Sequence, residues 1–258
     1  MLAVGTYDGR ILLLDAATGG ARWEVQSYPE DTFQRAAMSP DGRFVASVGG
    51  GEECWKLLDA ASGVECMAGA RHDGAGACSC RVTRSGRRSL DEGCPVRAHT
   101  AELTAVAFSP CGQRLATAGE DFAVILWDAQ TGNAELVLEG HIDSVRTVAF
   151  SAEGGRVASG SGDGSIRVWD VTTGASLHTI FQETPVSWVQ FSPSKNRVLA
   201  SAGYDADQWD VDSGEVKTVQ GCFFAVFSPD GRTIATASDP DAHDVLLVDA
   251  ETGDLRSR

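Results

Sequence analysis

One short pattern recurs along this chain and limits its fold more than any other feature: an aspartate, two variable residues, Thr or Ser, then Gly. It stands at Asp15-Ala-Ala-Thr18-Gly19, Asp59-Ala-Ala-Ser62-Gly63 and Asp128-Ala-Gln-Thr131-Gly132. It returns at Asp170-Val-Thr-Thr173-Gly174, Asp210-Val-Asp-Ser213-Gly214 and Asp249-Ala-Glu-Thr252-Gly253. The glycines are 44, 69, 42, 40 and 39 residues apart. A carboxylate at the end of a strand can accept hydrogen bonds from the N–H groups that follow it, and glycine supplies the positive φ that lets the chain reverse. Six such turns at near-constant spacing mean one structural unit repeated, with a single long gap.

A second marker lies between these turns, an apolar stretch ending in a Ser-Pro-type bend: AAMSPDG from Ala36, AVAFSPCG from Ala105, TVAFSAEGG from Thr147, WVQFSPSK from Trp188 and FAVFSPDG from Phe224. A second strand follows each bend, as in RLATAGED and RVASGSGD, and a third leads into the aspartate turn, as in VILWDA and IRVWDV. A fourth, looser strand follows the glycine. Runs rich in Val, Ile, Ala and aromatics, separated by short turns, predict four short strands per period of about 40 residues, which is one propeller blade. Phe108, Phe150, Phe191 and Phe227 recur once per repeat and are expected in the core.

The chain resembles the WD-repeat β-propellers. The Trp-Asp pair stands at Trp127-Asp128, Trp169-Asp170 and Trp209-Asp210, and the Gly-His signature at Gly140-His141, with Ala98-His99 one repeat earlier. The resemblance implies an all-β propeller with about six recognisable four-stranded blades. It also implies a buried hydrogen-bonded network in some of them. By position these networks are His99, Thr117, Asp121 and Trp127, then His141, Ser159, Asp163 and Trp169. The next repeat keeps Ser201, Asp205 and Trp209 but has Gln182 at the histidine's place. Leu14, Leu58 and Val248 replace the tryptophan elsewhere. A network of this kind stabilises a blade only when every member is satisfied, so the two complete ones are expected to be the stiffest.

The pattern breaks in two places. The first repeat begins at its second strand, so the first blade is expected to be incomplete, and a longer, seven-bladed parent is compatible with the pattern. The long gap holds about 27 extra residues, assigned to an insert over 67–94 between the second and third blades. It carries Arg71, Arg81, Arg84, Arg87 and Arg88, with Cys78, Cys80 and Cys94, and with Cys66 at its edge and His72 nearby. A surface loop, a decayed repeat or translated intron, and a metal site all fit that composition. Zinc sites commonly use paired C-x₂₋₄-C spacings, and here there is only Cys78-x-Cys80.

There is no G-x-x-x-x-G-K-[ST] loop, no H-E-x-x-H and no G-x-S-x-G elbow. The stretch SGSGDGS over 159–165 reads as a turn between strands. The cluster Asp239, Asp241, His243 and Asp244 reads as a solvated loop before it reads as a cation site. No catalytic residue, cofactor or metal is therefore assigned. A formal charge of −15 disfavours nucleic acid and anionic lipid and favours basic protein segments as partners. The start MLAVGTYDGR has no basic leader, and no apolar run approaches a bilayer's thickness. With seven cysteines and no leader read, reduced thiols in the cytoplasm or nucleus are the expectation.

A rigid platform with little chemistry suits a protein–protein adaptor. The resemblance places partner contacts on the loops entering each first strand and joining the second to the third. By position these are Arg35, Glu102, Phe122, Asp143, Ser144, Arg146, Pro185, Trp188, Tyr204 and Phe224. Arg146 and Trp188 stand out because Arg and Trp dominate binding hot spots. Trp188 lies on an inner strand and equally suits the gap between blades. Alternatives are an enzyme on a propeller, a hydrolase or cofactor-dependent oxidoreductase, and a nucleic-acid-associated propeller using the basic insert.

Overall fold

The computed structural model describes residues 1–28, 35–49, 53–70, 99–220, 222, 224–237 and 244–257. Every regular element among them is a strand. The first sheet has three strands, β1 (Leu2–Gly5), β2 (Arg10–Leu14) and β3 (Ala21–Gln26). The second is β4 (Arg35–Met38), β5 (Phe44–Val48), β6 (Glu53–Asp59) and β7 (Glu65–Ala70). The third is β8 (Leu103–Phe108), β9 (Arg114–Gly119), β10 (Val124–Asp128) and β11 (Ala134–Leu138). The fourth is β12 (Val145–Phe150), β13 (Arg156–Ser161), β14 (Ser165–Asp170) and β15 (Ser176–Phe181). The fifth is β16 (Val186–Phe191), β17 (Arg197–Ala202), β18 (Asp205–Asp210) and β19 (Val216–Gln220). The sixth is β20 (Phe224–Phe227), β21 (Thr233–Ala237), β22 (Val245–Asp249) and β23 (Leu255–Ser257).

Each sheet is an antiparallel meander whose strands lie in sequence order, the architecture of a propeller blade. Naming the strands of a four-stranded sheet a to d in chain order gives each sheet two ends. One end carries the b–c hairpin and the segment entering strand a. The other carries the a–b bend and the aspartate turn between c and d. The aspartate turns form as their chemistry requires. Asp59 Oδ1 accepts the N–H groups of Ala61 at 3.1 Å and Ser62 at 2.8 Å, and the Ser62 hydroxyl at 2.7 Å. The same three bonds recur at Asp128 and Asp170. The closing glycines Gly63, Gly132 and Gly174 have φ of 71°, 74° and 73°, the left-handed region open to a residue without Cβ. The a–b bends use a serine: Ser39, Ser109, Ser151 and Ser228 each accept the N–H five residues later, at 2.9 to 3.0 Å.

The chain divides into two compact units, Met1–Gly140 and His141–Arg258. In the first, Ile11, Leu13, Tyr28, Val45, Leu58 and Ala60 form one core. Ala46, Val48, Trp55, Leu57, Leu103, Leu115, Ile125 and Trp127 form a second. Leu57 and Leu58 thus send adjacent side chains to opposite faces of β6, so this strand is buried on both sides. In the second unit, Val198 and Ala200 join Val168, Val186, Val189 and Trp209. Leu199, between them, joins Ala206, Ala225, Phe227 and Ile234 on the other face. Phe191 and Phe227 are buried, and Phe108 and Phe150 are partly buried.

The insert's boundary needs correction. Met67 to Ala70 belong to β7, in register with Leu57 to Glu53, because the fourth strand of that sheet runs further than its loose sequence suggests. The rest of 67–94, with Cys78, Cys80, Cys94 and His72, lies outside the described residues, as do Asp239, Asp241 and His243. Among the described residues no helix is long and apolar enough to cross a membrane.

Candidate functional site

The third and fourth sheets each hold a buried relay across the b–c end. In the third, the Trp127 Nε1–H donates to Thr117 Oγ1 at 2.7 Å, and Thr117 Oγ1 lies 2.8 Å from His99 Nε2. His99 Nδ1 lies 3.0 and 2.9 Å from the two Asp121 oxygens. An indole can only donate, so the Thr117 hydroxyl donates its own proton to His99 Nε2, and the proton on Nδ1 faces the carboxylate. The fourth sheet repeats this with Trp169, Ser159 and His141 at 2.8 and 2.7 Å and with Asp163 3.2 Å from Nδ1. Ser165 adds a hydroxyl 2.8 Å from His141 Nδ1. Burial holds the His141 imidazole below its ordinary pKa, against the pull of Asp163. Burial also opposes ionisation of Asp163, but the Ser165 hydroxyl and the Ile142 N–H outweigh it and bring the carboxyl to about 2. The SGSGDGS stretch is thus a b–c hairpin in which Ser159 and Ser165 serve the relay, while Ser161 donates to the Asp143 carbonyl at 2.9 Å.

The fifth sheet departs from expectation. Trp209 pairs with Val198, as Trp127 pairs with Leu115 and Trp169 with Val157. Two residues further along strand b stand Thr117, Ser159 and, in the fifth sheet, Ala200. Ser201 is therefore not the relay hydroxyl. Its Oγ and the Trp209 Nε1 are both buried without a hydrogen-bond partner among the described residues. The cause is the hairpin: Ala202 pairs directly with Asp205, leaving a two-residue turn, Gly203-Tyr204, and Asp205 is a strand residue rather than an apex carboxylate. The second sheet contains a pairing that sequence reading missed. Ser47 occupies the relay position, since Leu58 pairs with Val45, and the Tyr28 hydroxyl lies 3.2 Å from Ser47 Oγ and donates to Ser47 O at 3.0 Å. A phenol there does the work of an imidazole Nε2, a substitution no spacing rule announces.

The residues proposed for partner contact fall on the b–c end of their own units. In the first unit, Arg35 opens β4 and its guanidinium is pushed below its ordinary pKa by burial. Glu102 is exposed, and its carbonyl accepts the Glu120 N–H at 2.8 Å. Phe122 is exposed and is the one non-glycine residue with positive φ among the described residues, at 66°. A left-handed conformation costs an ordinary residue about 1–2 kcal/mol, and a glycine, Gly164, holds the matching place in the fourth sheet.

In the second unit, Asp143 and Arg146 flank Gly162: a Cβ there would lie 2.7 Å from Asp143 Oδ2 and 3.4 Å from an Arg146 nitrogen. The Ser144 carbonyl accepts the Gly162 N–H at 2.8 Å. Arg146 is the extra residue of a β-bulge between Val145 and Thr147. At the same bulge in the third and fifth sheets, the Thr104 and Ser187 hydroxyls donate back to strand b carbonyls at 3.2 and 3.0 Å. Arginine cannot fold back so tightly and is exposed instead. Pro185 is exposed in the segment entering β16. The Trp188 and Phe224 rings meet with centroids 5.4 Å apart and planes inclined by 51°. Tyr204 is 65% exposed, and its carbonyl accepts the N–H of Cys222, two residues before Phe224, at 2.9 Å. Trp188 and Phe224 thus meet although they stand 36 positions apart in the sequence.

Register puts Asp143, Asp163, Glu183, Asp205 and Asp244 at the b–c end of this unit, where Arg146 is exposed. At the opposite end, Lys195 and Arg197 bind Glu251, Arg197 also binds Asp210, and Arg256 binds Asp249. No group of three metal-ligating side chains lies together among the described residues.

A family model described as WD domain, G-beta repeat matches residues 93–128 and 132–170, which contain β8 to β10 and β11 to β14. The chain is also similar to the Nuclear distribution protein PAC1 of Coccidioides posadasii (strain C735), 33% identical over 180 residues. That alignment covers 63% of this chain and 38% of the relative, so the chain spans under two-fifths of the relative's length.

Proposed function

Because WD repeats are matched at two places in this chain, we propose that it is a non-catalytic scaffold that holds protein or peptide partners at the b–c end of its sheets. The observation that carries this reading is the half-buried Trp188 ring packed on the exposed Phe224, at the same end of the unit as an arginine that its bulge leaves in solvent. Aromatic and arginine side chains concentrate binding energy at protein interfaces, and loops on a rigid sheet frame lose little entropy on docking. The acidic end of the second unit favours partners that offer basic segments. Similarity to a nuclear distribution protein supports a cytoplasmic or nuclear setting.

Affinity capture from the cell of origin tests the scaffold reading, run beside the double variant Arg146→Ala with Trp188→Ala, itself checked for a cooperative melt. A stable partner set that the variant loses is the expected outcome. A partner set retained in full by the folded variant places docking elsewhere, and the absence of any specific partner overturns the scaffold reading.

A further inference from the structure

We propose that the Trp188–Phe224 pair is a subsite for one arginine side chain of a partner protein, a proposal that rests on the scaffold reading above. Three observations on different scales meet there. The two rings meet with centroids 5.4 Å apart and planes inclined by 51°, so neither lies flat over the other. Phe224 is 39% exposed and Trp188 is half-buried, so part of the aromatic surface is reachable from solvent. The surroundings are anionic. Asp205 follows Tyr204 at the hairpin tip, and Glu183 lies in the segment entering β16. Asp244 precedes Val245, which shares a row of the sheet with Ala237 and Phe224. The wall is built rather than accidental, because the tip packs on the entering segment: a Cβ on Gly203 would lie 3.0 Å from the Thr184 hydroxyl oxygen.

Aromatic faces carry negative potential and attract a cation laid over them, and nearby carboxylates strengthen that attraction. Arginine suits the subsite better than lysine. Its guanidinium is planar, stacks on a ring face, is weakly hydrated, and can still hydrogen-bond carboxylates at its edge. The basic groups Lys195, Arg197 and Arg256 lie at the other end of this unit and are paired with carboxylates there.

The test is fluorescence anisotropy in dilute salt with a labelled synthetic peptide, Gly-Ser-Arg-Gly-Ser-Arg-Gly-Ser, its citrulline counterpart and its lysine counterpart. Citrulline keeps the shape of arginine and removes the charge. The expected result is saturable binding of the arginine peptide, weakened at least about tenfold by citrulline and less by lysine. Trp188→Leu and Phe224→Leu should each weaken it by about fivefold to thirtyfold, and Trp188→Phe by less, because a ring remains. Phe224→Leu sits at a partly exposed position and keeps the test valid if Trp188→Leu fails to fold. Equal binding of arginine and citrulline peptides, binding indifferent to both leucine variants, or no binding of the arginine peptide overturns the subsite. The scaffold reading is judged separately: partners captured by wild type and still captured by Phe224→Leu would leave the scaffold standing and remove the arginine subsite.

Discussion

Ala200 is the residue by which the fifth sheet loses its relay. The Trp209 Nε1 is buried with no partner where Trp127 and Trp169 each donate to a hydroxyl. An unsatisfied buried donor costs about 1–3 kcal/mol, so supplying the acceptor should recover part of that. Ala200→Ser is expected to stabilise the protein by about 1 kcal/mol, seen as a higher urea midpoint at unchanged m-value, and the gain should vanish in the Trp209→Phe background. No stabilisation, or a loss, would show that the serine cannot reach the indole. The same site shows how far single residues were legible. His99, Thr117 and Trp127 lie at spacings that repeat at His141, Ser159 and Trp169, and the structure joins each set. Counting four back from Asp205 picks out Ser201, counting ten back from Trp209 picks out Leu199, and the register of the strands picks out Ala200. Only the length of the b–c hairpin decides between them, and a two-residue turn is invisible until strand register is known.

Strands and turns were more legible than single contacts because their signals are local. The aspartate turns close within five residues and need only a carboxylate, a hydroxyl and a glycine, so their six sequence copies became six turns. The bulges at Thr104, Arg146 and Ser187 were not legible, since they answer to strand twist and to pairing with a neighbour rather than to any residue type. Gly69 in β7 shows a further constraint on an element. Its place opposite Trp55 leaves no room: a Cβ would lie 2.0 Å from the Trp55 Nε1, and Trp55 is itself packed 5.4 Å from Trp127. Gly69→Ala is expected to destabilise the first unit by about 1–3 kcal/mol, as overpacking does. Gly214→Ala meets open space and carries only the backbone cost of φ at 77°. Differential scanning calorimetry of both variants separates the two cases, and an unperturbed Gly69→Ala melt would mean the indole moves aside freely.

At the scale of the molecule, repetition makes stability depend on acid in a defined direction. The turn carboxylates Asp15, Asp59, Asp128, Asp170, Asp210 and Asp249 all ionise more readily than free aspartate. The cause at Asp15 is chiefly the Arg22 guanidinium, at Asp59 the Ser62 hydroxyl, and at Asp170, Asp210 and Asp249 the N–H three residues on. At Asp128 burial opposes ionisation, and the Thr131 N–H outweighs it. A depressed folded pKa stabilises above the unfolded value near 4 and loses that contribution as pH falls through the folded value, which is about 2 at Asp15. His141 acts in the same sense at higher pH, since a buried imidazole held neutral binds fewer protons than the unfolded chain below about 6.5. The urea midpoint is expected to decline gently below pH about 6.5 and steeply between about 4 and 2, and a midpoint that rises on acidification would contradict both assignments. The in-order meander of every sheet has one more consequence, which concerns time. Hairpins between adjacent segments close in about 1–10 μs, while a ribosome adds roughly 5–20 residues each second. Each sheet draws its strands from one contiguous stretch of about 40 residues, so translation, and not a search through the finished chain, sets the order in which the sheets arise.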